Sequence, residues 1–167
     1  MAIDQNELRL ASHRIVLQKG FTAAAAGQRT GFLCHSHRDR DLALGLQQRL
    51  RDDGLDLYID WQDTDMPERP TGETARRIKE RIAAADIFLF LATAHSTSSK
   101  WCPWELGYAD GRKRIEQISL VTTRDNAGSY GSEYLELYRR IDAGASGMML
   151  FEQGAQTGVS VRGLRIP

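Results

Sequence analysis

Long apolar runs are missing from this 167-residue chain. Nothing approaches the roughly 20 consecutive apolar residues of a membrane-spanning helix, which argues against a membrane partner. The opening MAIDQNELRLASHR lacks the basic-then-apolar layout of a secretory signal, so the expected setting is the cytoplasm. Cysteine is scarce: Cys34 and Cys102 lie far apart and form no CxxC pair, which excludes a disulfide framework or a zinc ribbon. Neither sign of charge is in surplus, with 22 Lys and Arg against 22 Asp and Glu, and the usual mark of a nucleic-acid partner is therefore absent. The one basic cluster, Arg76, Arg77, Lys79 and Arg81, sits on a predicted helix with an apolar opposite side and reads as a solvated face. No GxGxxG follows any predicted strand, which argues against NAD as a bound redox cofactor.

What is present is an alternation, from Thr30 onward, of short apolar runs and helical periods, the pattern of a parallel sheet covered by helices. Strands are predicted at Gly31 to Cys34, Leu55 to Asp60, Ile87 to Ala92, Ile118 to Val121 and Met148 to Phe151. The second alternates apolar and polar residues and belongs at the sheet edge; the third, IFLFLA, is apolar throughout and belongs at the centre. Helices are predicted from about Asp39 to Asp53, with Gly54 as stop, after Thr71 as N-cap, around WCPWELGYADG, and through Tyr134, Leu137, Tyr138 and Ile141. The result is a five-stranded, doubly wound α/β pattern. It divides into residues 1–29, an N-terminal helical extension with Asp4 and Glu7 as capping pair and Gly20 as stop; residues 30–153, the main domain; and residues 154–167, a tail in which Val159 to Arg162 can add an edge strand.

Ligands of an open parallel sheet bind at the carboxyl ends of the strands, which selects the loops CHSHRD, DWQDTDMPERP and ATAHSTSSKWCPWE. Pro103 suits the first turn of a helix and puts Glu105 in that turn, where the helix dipole favours an ionised carboxylate. Trp101, Glu105 and Tyr108 then share one face, a pocket for a flat cationic ring. Spacing alone favours the blander reading, with Glu105 as a capping-box partner of Cys102 and Trp101 and Trp104 as core residues. His35 and His37 lack a third ligand nearby and read as a polar substrate wall or plain surface rather than a metal site. Cys34 reads as a small buried residue, and Asp60, Asp63 and Asp65 as a solvated acidic loop.

Three segments together resemble the Toll/interleukin-1 receptor (TIR) family, especially its small stand-alone bacterial members: GFLCHSHRDRD, LYIDWQDTDMP and SSKWCPWELGYADG. The last is like the segment carrying the family's Trp-x-x-x-Glu motif, and the resemblance runs roughly from Thr30 to Phe151. It implies a flavodoxin-like three-layer domain that cleaves the nicotinamide–ribose bond of NAD. It makes Glu105 the catalytic carboxylate and NAD the substrate, with no metal or other cofactor. Nicotinamide leaves as a neutral molecule, so no general acid is needed; Trp61, Trp101 or Trp104 can stack on the pyridinium while His35, Ser36 and His37 wall its side. It further implies self-association, products that are ADP-ribose, a cyclic isomer or a conjugate, and a partner effector sensing such a messenger in antiphage defence. The chain departs from the common family pattern at Cys34 and His35. The alternative under the same resemblance is a non-catalytic adaptor; a nucleoside deoxyribosyltransferase is the rival with similar layout.

Overall fold

The computed structural model describes residues 2–15, 29–67, 71–134, 136–144 and 147–162. Its strands are β1 (Ile3–Asp4), β2 (Arg29–Cys34), β3 (Leu55–Tyr58), β4 (Ile87–Ala92), β5 (Ile118–Arg124), β6 (Ser129–Tyr130), β7 (Arg139–Gly144), β8 (Gly147–Phe151) and β9 (Val159–Ser160). Its α-helices are α1 (Gln5–Ile15), α2 (Arg40–Asp52), α3 (Gly72–Ala84), α4 (Ala94–Thr97) and α5 (Trp101–Arg112).

Among the described residues these strands form one sheet, whose main path runs β3-β2-β4-β5-β7-β8-β9. Its first five members are mutually parallel, and their order is the 2-1-3-4-5 of a flavodoxin-like sheet. β4 is central and shows how the layers are specified. Its phenylalanines, Phe88 and Phe90, point with Phe32 of β2 toward α3 and α5, where they meet Ile78, Ile82, Cys102 and Leu106. Its leucines, Leu89 and Leu91, point with Leu33 to the other side, against Leu42, Leu46 and Leu50 of α2. Period-two side-chain alternation thus separates an aromatic layer from an aliphatic one.

Local chemistry sets the helix ends. Thr71 caps α3 through a reciprocal pair with Thr74, and Gly54, at φ +84°, supplies the left-handed residue that ends the α2 connection. At the N-terminus, the carboxylate of Asp4 accepts from the amide of Asn6, whereas Glu7 forms an ion pair with Arg49 at 3.1 Å instead of capping. β1 pairs in parallel with the end of β5, and Ile3 and Leu8 belong to the aliphatic layer. α1 crosses α2 at Gly45, where a Cβ would stand 1.9 Å from the carbonyl oxygen of Leu8, so no other residue permits this approach. The predicted stop Gly20 lies outside the described residues.

Two expectations at the carboxyl-terminal end are corrected. The described residues from Tyr134 to Ile141 form no helix: a 3-10 turn ends at Tyr134, and Arg139 begins the fifth parallel strand, β7. Tyr138 and Ile141 pack on opposite sides of the sheet, so their helix-like spacing carries no common face. Met148 to Phe151 is a strand, but β8 runs antiparallel to β7. β9 extends the edge beside it, as the tail sequence suggested. No helix of the described residues is long and apolar enough to cross a membrane.

Candidate active site

A cleft of about 240 Å³ opens at the carboxyl ends of the strands, beside the point where strand order reverses. Its lining comes from the turn after β2 (His35, Ser36, His37, Arg38), the turn after β3 (Asp60), the first half of α3 (Thr74, Ile78) and the start of α5 (Ser99, Trp101, Glu105). Five of the eight residues nominated from sequence therefore meet here: His35, Ser36, His37, Trp101 and Glu105.

Glu105 differs from its sequence-based description in one respect. α5 starts at Trp101, because the hydroxyl of Ser99 accepts from the amides of Trp101 (3.1 Å) and Cys102 (3.3 Å). Glu105 is consequently the fifth helical residue, past the first turn, and a capping role is excluded. Glu105 is 7 % exposed and faces no arginine, lysine or amide donor among the described residues; the Cys34 thiol lies beside it and donates to the carbonyl of Cys102 at 3.6 Å. Burial raises its pKa well above the ordinary glutamate value; Cys102 and Asp60 push the same way and the thiol of Cys34 opposes them. Burial also raises the Cys34 thiol well above its ordinary value, which leaves it an inert small side chain rather than a nucleophile.

His35 is held in one protonation state. The indole N–H of Trp61 can only donate, so at 3.0 Å it makes Nε2 of His35 the acceptor; Nδ1 then carries the proton and donates to the carbonyl of Leu33 at 3.1 Å. Burial lowers the imidazole's pKa, against the pull of Asp60, and agrees with this neutral tautomer. Trp61 thus stands behind His35, packed on the aliphatic layer under the Arg40 guanidinium (5.0 Å), and does not line the cleft.

Trp104 and Tyr108 lie outside the cleft as well. They stack on each other at 6.4 Å with Nζ of Lys79 over both rings, a seam between α3 and α5, and Trp104 meets Trp101 edge-on at 5.4 Å. Of α5's aromatic row only Trp101 reaches the cavity. The acidic loop is likewise not simply solvated: Asp63 takes the hydroxyl of Tyr58 (2.7 Å) and Arg81 (2.8 Å), and Asp60 lines the cleft. Asp60, Arg38, Thr74, Ile78 and Ser99 were not singled out as lining from sequence. Ser99, two residues before Trp101, was a readable capping signal; the others come from loop and helix placements that only the fold specifies. Among the described residues no group of three or more His, Cys, Asp or Glu side chains is arranged to hold a metal ion.

A flavodoxin-like sheet whose cleft holds a largely buried glutamate, with no cation beside it among the described residues, four residues after a tryptophan defines the class. The TIR domain model matches residues 32–146, and the chain belongs to that family. Over 116 residues, 68 % of this chain, it is 36 % identical to a Bacillus cereus (strain MSX-D12) protein named "Probable 3' cyclic ADP-D-ribose synthase ThsB'". The match spans 60 % of that relative's length.

Proposed function

We propose that this TIR domain cleaves the nicotinamide–ribose bond of NAD, with Glu105 as the catalytic carboxylate, and passes the ADP-ribosyl group to an internal hydroxyl to give a cyclic ADP-ribose. The observation that carries the reading is the unpaired carboxylate of Glu105 in the cleft. A largely buried carboxylate that opens onto the cleft without a cation beside it is costly in a structural role, but it is a strong stabiliser of the oxocarbenium-like ribosyl carbon that forms as nicotinamide departs. Trp101 at the cleft edge offers a face for the pyridinium ring, and His35, fixed neutral, presents no positive charge to repel it. The cyclic product follows the name of the Bacillus relative. A messenger role in antiphage defence, read by a separate effector, and assembly of several copies belong to the same proposal.

The test is incubation of the protein, dilute and concentrated, with NAD, following nicotinamide and every adenine-containing product by chromatography and mass spectrometry. Nicotinamide release that depends on Glu105, with a cyclic ADP-ribose as product, is the expected result. Silence at every concentration favours the adaptor reading.

A further inference from the structure

We infer that Asp60 is a second catalytic carboxylate, the base that takes the proton of the attacking hydroxyl and hands it to solvent through His37. The inference rests on the NAD-cleaving reading above. Asp60 reaches the cleft from the turn after β3, a different element from the one that carries Glu105. Its Oδ1 is anchored by the amide of Trp61 at 2.8 Å, while no described residue hydrogen-bonds to Oδ2.

Asp60 and Glu105 are the two acids that line the cleft, and the neighbours of Asp60 differ from those of the acids held by arginine. Asp4, Asp53, Asp56, Asp63, Asp142, Glu7 and Glu73 each meet an arginine. Among the described residues the charged neighbours of Asp60 within 4 Å are two histidines, Nε2 of His35 at 3.8 Å from Oδ1 and Nε2 of His37 at 3.7 Å from Oδ2. His35 is excluded as a proton carrier, because Trp61 and the carbonyl of Leu33 occupy both ring nitrogens. His37 is 69 % exposed and has one face to water, so a proton received at Asp60 Oδ2 has a route out. The 3.7 Å gap is longer than a hydrogen bond, so transfer between the two side chains requires their closer approach or one bridging water.

Such a group has a defined task in the chemistry. As the bond from the ribosyl carbon to nicotinamide breaks, nicotinamide keeps the electron pair and leaves neutral; as the bond to oxygen forms, the hydroxyl proton must go elsewhere. Glu105 cannot serve both ends of the step, since its negative charge is what steadies the cationic carbon. Asp60 takes the proton, and NAD plus hydroxyl gives the ADP-ribosyl product, nicotinamide and one released proton.

A pyridine nucleophile separates the two roles, because its ring nitrogen attacks without a proton to lose. Wild-type protein, Asp60→Asn and Glu105→Gln are each given NAD with and without 3-acetylpyridine, and hydroxyl-derived products are measured beside the exchanged dinucleotide. Asn retains the Oδ1 acceptor for the Trp61 amide, so the turn stays in place. The expected result for Asp60→Asn is a loss of about 10²-fold in cyclisation and hydrolysis with base exchange held within about threefold. Glu105→Gln loses both. Hydroxyl products undiminished in Asp60→Asn, or both reactions falling together, overturn the assignment of Asp60 while leaving Glu105 untouched. Wild-type protein that forms neither product overturns the NAD reading and this inference with it.

Discussion

Two buried carboxylates stand toward the same carboxyl end of the sheet and are treated in opposite ways. Asp142 of β7, 1 % exposed, accepts from the hydroxyl of Thr122 at 2.7 Å and from the guanidinium of Arg140 at 3.0 Å. Glu105, buried almost as deeply, has a thiol beside it and no cation among the described residues. One region satisfies its charge and so joins β7 to β5; the other leaves its charge unsatisfied and opens onto a cavity. Asp39 belongs with the first kind, its two oxygens taken by Thr93 (2.6 Å) and His95 (2.8 Å) where α2 begins. The contrast is what makes Glu105 the proposed catalytic group: burying an acid without a counter-charge costs stability, so a structural role does not account for it.

The largest expected effect breaks that contrast from the functional side. Glu105→Gln removes the charge without changing shape, and kcat/KM for nicotinamide release should fall by about 10³-fold, as for loss of a main transition-state stabiliser. Next comes the structural side. Asp142→Ala leaves Arg140 and Thr122 without their shared acceptor and should lower unfolding free energy by about 3 kcal/mol in urea titrations, with turnover per folded molecule unchanged.

The third prediction concerns pH. Glu105 keeps its proton in the folded state at pH values where the unfolded chain has lost it, so the folded state binds more protons and stability declines as pH rises above the ordinary value of 4.5. His35 acts in the opposite range: the unfolded chain gains a proton before the folded one does, and stability is lost as pH falls below 6.5. Urea titrations across pH should show both slopes, and Glu105→Gln should abolish only the first. In turnover, the acid limb of kcat/KM should lie above the ordinary glutamate range. The smallest effect sharpens the same site. Cys34→Ser replaces the thiol against Glu105 with a stronger donor, and should move that acid limb to lower pH while costing about 1 kcal/mol of packing.

The legible parts of the sequence were those where one local rule acts alone. IFLFLA announced a central strand because every residue is apolar, and the structure uses all six, Ile87–Ala92, as one strand. Leu42, Leu46 and Leu50 marked the buried side of α2, and Thr71 its neighbour's cap. Tyr134 to Ile141 misled because four large residues fell at helical spacing by coincidence, while sheet pairing of Arg139 to Ile141 with Ser119 to Val121 decided the conformation. In the site, Glu105 was identifiable by its motif, but its depth depends on Ser99 starting the helix early. Trp61, Trp104 and Tyr108 looked alike in sequence; which aromatic ring faces the cavity is set by helix rotation and strand ends, quantities that spacing fixes only to within a residue or two.

The most direct measurement pairs stability with activity in one variant. Glu105→Gln should unfold in urea at the same or a higher midpoint than wild type at neutral pH, because it relieves a buried acid, while nicotinamide release from NAD disappears. A variant that remains active, or that loses stability and activity in parallel, would contradict the claim that Glu105 is held unpaired for catalysis.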